Sequence, residues 1–150
     1  MAIVIAMTLP IFAIAGDIEF SAGKVWGFYQ SVKVLNTECS KSNTANWNEL
    51  SVSVERWLER NNPTVETAIK ASMDAFLRSS PNGANNPLAL DIWQSAISAT
   101  ERQLTLKLTQ EIQRDPHQFC EIRARILASG RAELADLFPN ELKSIPDTLR

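Results

Sequence analysis

Residues 88–114 read LALDIWQSAISATERQLTLKLTQEIQR, and the fold turns on this stretch. It contains no Gly and follows Pro87, so it can run as one helix of roughly 40 Å at about 1.5 Å per residue. At about 100° per residue it carries two apolar stripes. Trp93, Ile97, Thr100, Leu104 and Leu108 make the first, with Ala96 at its edge. Leu88, Ile92, Ala99 and Leu106 make the second, on nearly the opposite side. Asp91, Ser98, Arg102 and Thr109 form a polar strip between them. A helix apolar on two sides calls for neighbours on two sides. The expected fold is therefore all-α: a single compact bundle of about five helices around the central long helix Leu88–Arg114.

The flanking segments also read as helices. From Ser21, a possible N-cap, Val25, Phe28, Val32, Leu35 and Cys39 recur at spacings of three and four. Gly23 and Gly27 lie together off this stripe. They suit either a close contact with another helix or a regular helix that starts only after Gly27, and the cost of glycine inside a helix favours the second. Trp26 also lies off the stripe, as the covered edge of a core or as a contact for a partner.

A polar connection, Ser40–Asn46, leads to a second helix reaching Asn61, with Trp47, Leu50, Val54, Trp57 and Leu58 on one face. Asn62 and Pro63 have the form of an N-cap and first helical residue, which predicts a stop and a new start. Val65, Ala68, Ile69, Ser72, Met73 and Phe76 then make a single stripe. Ser79–Pro87 is dense in turn formers. Asp115-Pro116 repeats the capping pattern, and Phe119, Ile122 and Ile126 are expected to face inward, flanked by Cys120 and Leu127. Gly130 suits the helix end. A short segment, Glu133–Phe138, follows, and the tail to Arg150 reads as irregular.

Composition narrows the function classes. The chain has 150 residues, one domain's worth, and 15 basic residues against 17 acidic ones with no block of like charge. A nucleic-acid partner would leave clustered basic residues, so none is expected. Two cysteines and one histidine, without a Cys-x-x-Cys or His-x-x-x-His pair, argue against a metal or haem site, and no cofactor is expected.

Ile3–Ile14 is an apolar run too short to span a bilayer, and Ala13 and Ala15 fit a signal cleavage site. Only the amino terminus supplies positive charge ahead of it. The competing reading is a buried N-terminal helix that ends in alanines. On the signal reading residues 1–15 are removed, the mature chain of residues 16–150 begins at Gly16, and no membrane span is left. The product is then periplasmic or secreted.

Cys39 and Cys120 both fall near helix ends in a chain read as exported, which predicts a disulfide between them. His117, three residues before Cys120, is the one available base for a catalytic thiol, but a disulfide leaves it no nucleophile. Arg123 stands where the pattern calls for an apolar residue. It is expected to hold Asp136, Glu133 or helix-end carbonyls, or else to receive an acidic group from a partner. Gly-x-Ser-x-Gly, His-Glu-x-x-His and Gly-x-Gly-x-x-Gly are absent.

Cys39 followed by Trp57-Leu58-Glu59-Arg60-Asn61 is similar to a pattern in exported bacterial helical proteins. Phe119-Cys120 with Glu133-Leu134-Ala135-Asp136-Leu137 resembles periplasmic immunity proteins that block cell-wall amidases. These matches cover a few residues each and carry over no functional residue. The sequence reading is thus a non-enzymatic, exported protein that binds a protein partner, with inhibitors and immunity-type proteins included. Trp26 and Arg123 are its candidate contacts. The alternative is a small carrier with Trp47, Trp57, Trp93 and Met73 around an apolar cavity. A filled core with an exposed apolar patch favours the first and a large void the second.

Overall fold

The computed structural model describes residues 16–42, 46–81 and 83–145, apart from the side chain of residue 84. The expected cleavage site and the apolar run before it lie outside the described residues. Among the described residues six α-helices pack together and there is no strand. They are α1 (Asp17–Lys41), α2 (Trp47–Ser79), α3 (Pro87–Arg114), α4 (Arg123–Ala128), α5 (Leu134–Leu137) and α6 (Pro139–Lys143). A π-helical turn, His117–Ile122, runs directly into α4.

Helix α1 begins well before Gly27. Asp17 and Glu19 sit in its first turn, where the helix dipole favours acidic groups. Gly23, Trp26 and Gly27 are buried along with Val25, Val32, Leu35 and Cys39. More than one stripe is covered because α2, α3 and α6 all pack against this helix. The tertiary contacts offset the propensity cost of its glycines.

Helix α2 is continuous through Pro63, which overturns the expected break at Asn62. The buried positions Trp47, Leu50, Val54, Trp57, Asn61, Val65, Ala68 and Ser72 stay in phase across the proline. A break would have thrown the second half of the stripe off the core. Pro63 removes the amide that would bond the Glu59 carbonyl, at a cost of about 3 kcal/mol in a helix interior. Both residues are exposed, so solvent can take that carbonyl. Thr67 Oγ1 also donates to the Pro63 carbonyl at 2.9 Å.

Helix α3 starts as its sequence implies. The Asn86 side chain accepts from the amides of Leu88 and Ala89 at 3.1 and 3.3 Å, and Pro87 holds the first helical position. Thr100, Leu104, Leu108 and Ile112 are buried. The buried Thr100 hydroxyl is satisfied by the Ala96 carbonyl at 2.9 Å. The second stripe has no such cover: Leu88, Ile92 and Leu106 are 63%, 51% and 65% exposed.

Asp115 caps the next turn by accepting from the Gln118 amide at 3.0 Å. The π turn then shifts the helical phase. Cys120, Ala124 and Leu127 point inward, whereas Ile122 and Ile126, expected in the core, are exposed. Gly130 takes a positive φ of 71° after α4, as a helix end favours. The segment beyond residue 138, expected to be irregular, forms α6, and Ile145 is buried after it.

Candidate functional site

Cys39 and Cys120 are joined, with 5.5 Å between their α-carbons and 81 residues of sequence separation. The bond ties the end of α1 to the π turn. Ser42 caps α1 there, its hydroxyl donating to the Cys39 carbonyl at 2.9 Å, and its Oγ lies 3.8 Å from Cys120 Sγ. His117 is exposed and its Nδ1 lies 2.9 Å from Glu121 Oε2. With Cys120 in the disulfide, His117 has no thiol to activate. Glu121 also accepts from Arg125 at 3.0 Å, and this bond, with help from His117, holds its carboxyl below the usual carboxylate range.

Arg123 is half-buried beside the inward arc. Its guanidinium stacks over the Phe119 ring, 4.1 Å from the ring centre, one helical turn away. Burial pushes the guanidinium pKa down from its usual value while the Glu111 carboxylate pushes it back up. The expected partners Glu133 and Asp136 do not hold it. Glu133 is engaged by α2, because Arg60 Nη2 donates to it at 2.6 Å and Asn61 Nδ2 at 2.7 Å. Phe119, Ile122, Arg123 and Ile126 instead share one side of the π turn and α4. Ile122 is 38% exposed and Ile126 51%. The result is an apolar surface stripe with a cation over its aromatic ring, on a segment anchored by the neighbouring disulfide.

Trp26 cannot present itself to a partner. It is only 2% exposed, and with Ala22, Gly23, Ile69, Trp93 and Ile97 it lines the junction of α1, α2 and α3. Lying off one stripe does not mean exposure on a helix packed from several directions. The space at this junction is about 10 Å³, room for one water at most. Trp47 and Trp57 belong to the core. Among the described residues, no group of three or more His, Cys, Asp or Glu side chains gathers as a metal site would require.

A second arrangement was not anticipated from the residues that form it. Trp57 Nε1 donates to the Ala132 carbonyl at 2.8 Å. Asn61 is buried with every polar atom engaged: Nδ2 donates to the Trp57 carbonyl at 2.8 Å and to Glu133, and Oδ1 accepts from the Leu134 amide at 3.0 Å. These bonds hold the segment between α4 and α5 against the middle of α2. Phe28 packs edge-on against both Trp57 and Phe138, at centroid distances of 5.9 and 5.6 Å. The two stretches that carried separate sequence resemblances, 57–61 and 133–137, thus meet in space.

Compared with known proteins, the chain matches no family model, no curated protein and no solved structure. Among the described residues, no helix is long and apolar enough to cross a membrane.

Proposed function

We propose that this is an exported, disulfide-linked helical protein that binds a protein partner in the periplasm or envelope, or outside the cell, without chemical turnover. The observation that carries this reading is the surface stripe on which exposed Ile122 and Ile126 lie beside half-buried Phe119 and Arg123. A cation stacked on an aromatic ring between exposed isoleucines is the composition from which interface hot spots are built. The disulfide beside it keeps the stripe in one conformation, which lowers the ordering cost of binding.

Export is supported by the disulfide, which persists in oxidising compartments, and by the signal-like residues 1–15. The water-sized space between α1, α2 and α3 favours protein binding over an apolar-ligand carrier. Inhibition of a toxin or hydrolase is one form this binding can take.

The test is capture of a partner from the native envelope by purified protein, compared with Ile126→Glu. The variant should lose the partner with its thermal stability intact, since Ile126 is already half in solvent. Equal capture by both proteins excludes the stripe. Turnover of an envelope substrate that one polar substitution abolishes excludes the non-enzymatic reading. Intact mass should place the mature amino terminus at Gly16.

A further inference from the structure

Among the described residues, the outward side of α3 has no element packed on it, and it has an internal symmetry. Leu88, Ile92, Ser95, Ala99, Arg102 and Leu106 follow one another at spacings of four, three, four, three and four. This is the seam spacing of a two-helix coiled coil. The positions pair about residue 97: Leu88 with Leu106, Ile92 with Arg102, and Ser95 with Ala99. Small residues therefore stand in the middle and leucines at both ends. Asp91 lies next to Ile92, and it lines an open depression along α3 together with Ser95, Ser98 and Arg102. Among the described residues neither Asp91 nor Arg102 has a side-chain partner within the chain.

We propose that α3 pairs with α3 of a second copy of this chain, antiparallel, about a two-fold axis near residue 97. In that register Leu88 of one copy faces Leu106 of the other at each end. Ser95 faces Ala99 in the centre, where small side chains let the backbones approach. Arg102 lays its stem on Ile92 of the second copy and its guanidinium reaches the adjacent Asp91. A two-fold contact requires such a self-complementary surface. The parallel arrangement would set Arg102 against Arg102 and Asp91 against Asp91, and like charges facing each other oppose it. The pairing uses a different surface from the Phe119–Ile126 stripe and stands or falls independently of it. Two facing helices of about five turns make a small interface, so the dimer should be a micromolar one.

Sedimentation velocity on the oxidised protein, purified as the cell delivers it, tests the proposal. The protein should move from monomer to dimer as its concentration rises through the micromolar range. Leu106→Glu should weaken the dimer at least about tenfold. Its melting temperature should not change, because Leu106 is 65% exposed. Asp91→Arg and Arg102→Asp should each weaken the dimer, and the two together should restore it. A protein that is monomeric at about 100 µM overturns the proposal and leaves the face to another occupant, residues 1–15 or an unrelated protein. A dimer indifferent to Leu106→Glu overturns it as well. So does a double charge swap that fails to recover what the single swaps lose.

Discussion

The indole N–H of Trp57 reaches across 75 residues of sequence to donate to the Ala132 carbonyl, entirely inside the protein. One turn further along α2, Asn61 completes the attachment through two bonds, donating to Glu133 and accepting from the Leu134 amide. The buried Ala132 carbonyl and Leu134 amide are therefore satisfied by side chains of α2, as burial demands. Asn61→Ala removes both the amide donor and the acceptor and strands the Leu134 amide. Chemical denaturation should show a loss of about 2 kcal/mol, the range for leaving a buried group unsatisfied. A loss within experimental error would mean that water replaces the side chain and that the attachment rests on Trp57 alone.

The disulfide closes a long loop, so its removal should cost stability through the unfolded chain. Cys39→Ser should destabilise the fold by a few kcal/mol, with about 4–5 as the nominal ceiling for a loop of this length. Thiol titration of the unreduced native protein should find no free thiol.

Arg123→Ala should cost about 1 kcal/mol, the worth of a partly desolvated cation on an aromatic face plus some packing. Breaking a buried ion pair would cost about 3–5 kcal/mol. A result in that upper range would identify a carboxylate, and Glu111, which already biases the Arg123 charge, would be the one to replace next.

Lys24 donates to Glu141 at 2.8 Å and joins α1 to α6. This bond lowers the Glu141 pKa below its usual value of 4.5. A carboxyl lowered in the folded state adds stability above its unfolded pKa and loses it as pH falls through the folded one. The contribution should therefore be complete at neutral pH and fade below about pH 4.5. Solvent screens the partly exposed pair, so the effect should stay under about 1 kcal/mol. Comparing thermal melts of Lys24→Ala and the native protein between neutral and acid pH checks this. The two should differ at neutral pH and converge in acid.

Much of the architecture was legible because it is written locally. Asn86-Pro87, Asp115-Pro116 and Gly130 mark helix ends through their own backbone chemistry, and Cys39 and Cys120 fall inward by spacing. The misreadings come from places where distant contacts overrule local preference. Pro63 has the form of a helix start, yet the stripe from Trp57 to Val65 keeps α2 whole. Ile122 and Ile126 read as core because the π turn that rotates them has no local signature. Trp26 lies off the stripe of Val25, Val32 and Leu35 yet is buried, because α2, α3 and α6 all pack on α1. The attachment of residues 132–134 to Trp57 and Asn61 joins positions more than 70 residues apart, beyond the reach of any periodicity. The exposed stripe of α3 was visible as apolar, but only burial in the folded chain told its two sides apart.

The bond between Cys39 and Cys120 also makes residues 39–120 a covalent ring that contains all of α2 and α3. The connection between those helices, residues 80–86, lies inside that ring. One proteolytic cut there opens the ring into a longer thread but releases nothing, and the cut protein runs as a single species on a denaturing gel until thiol is added. A cut beyond the ring, near Arg131, is different. It frees a carboxy-terminal peptide that Trp57, Arg60, Asn61 and Lys24 hold in place without any covalent link.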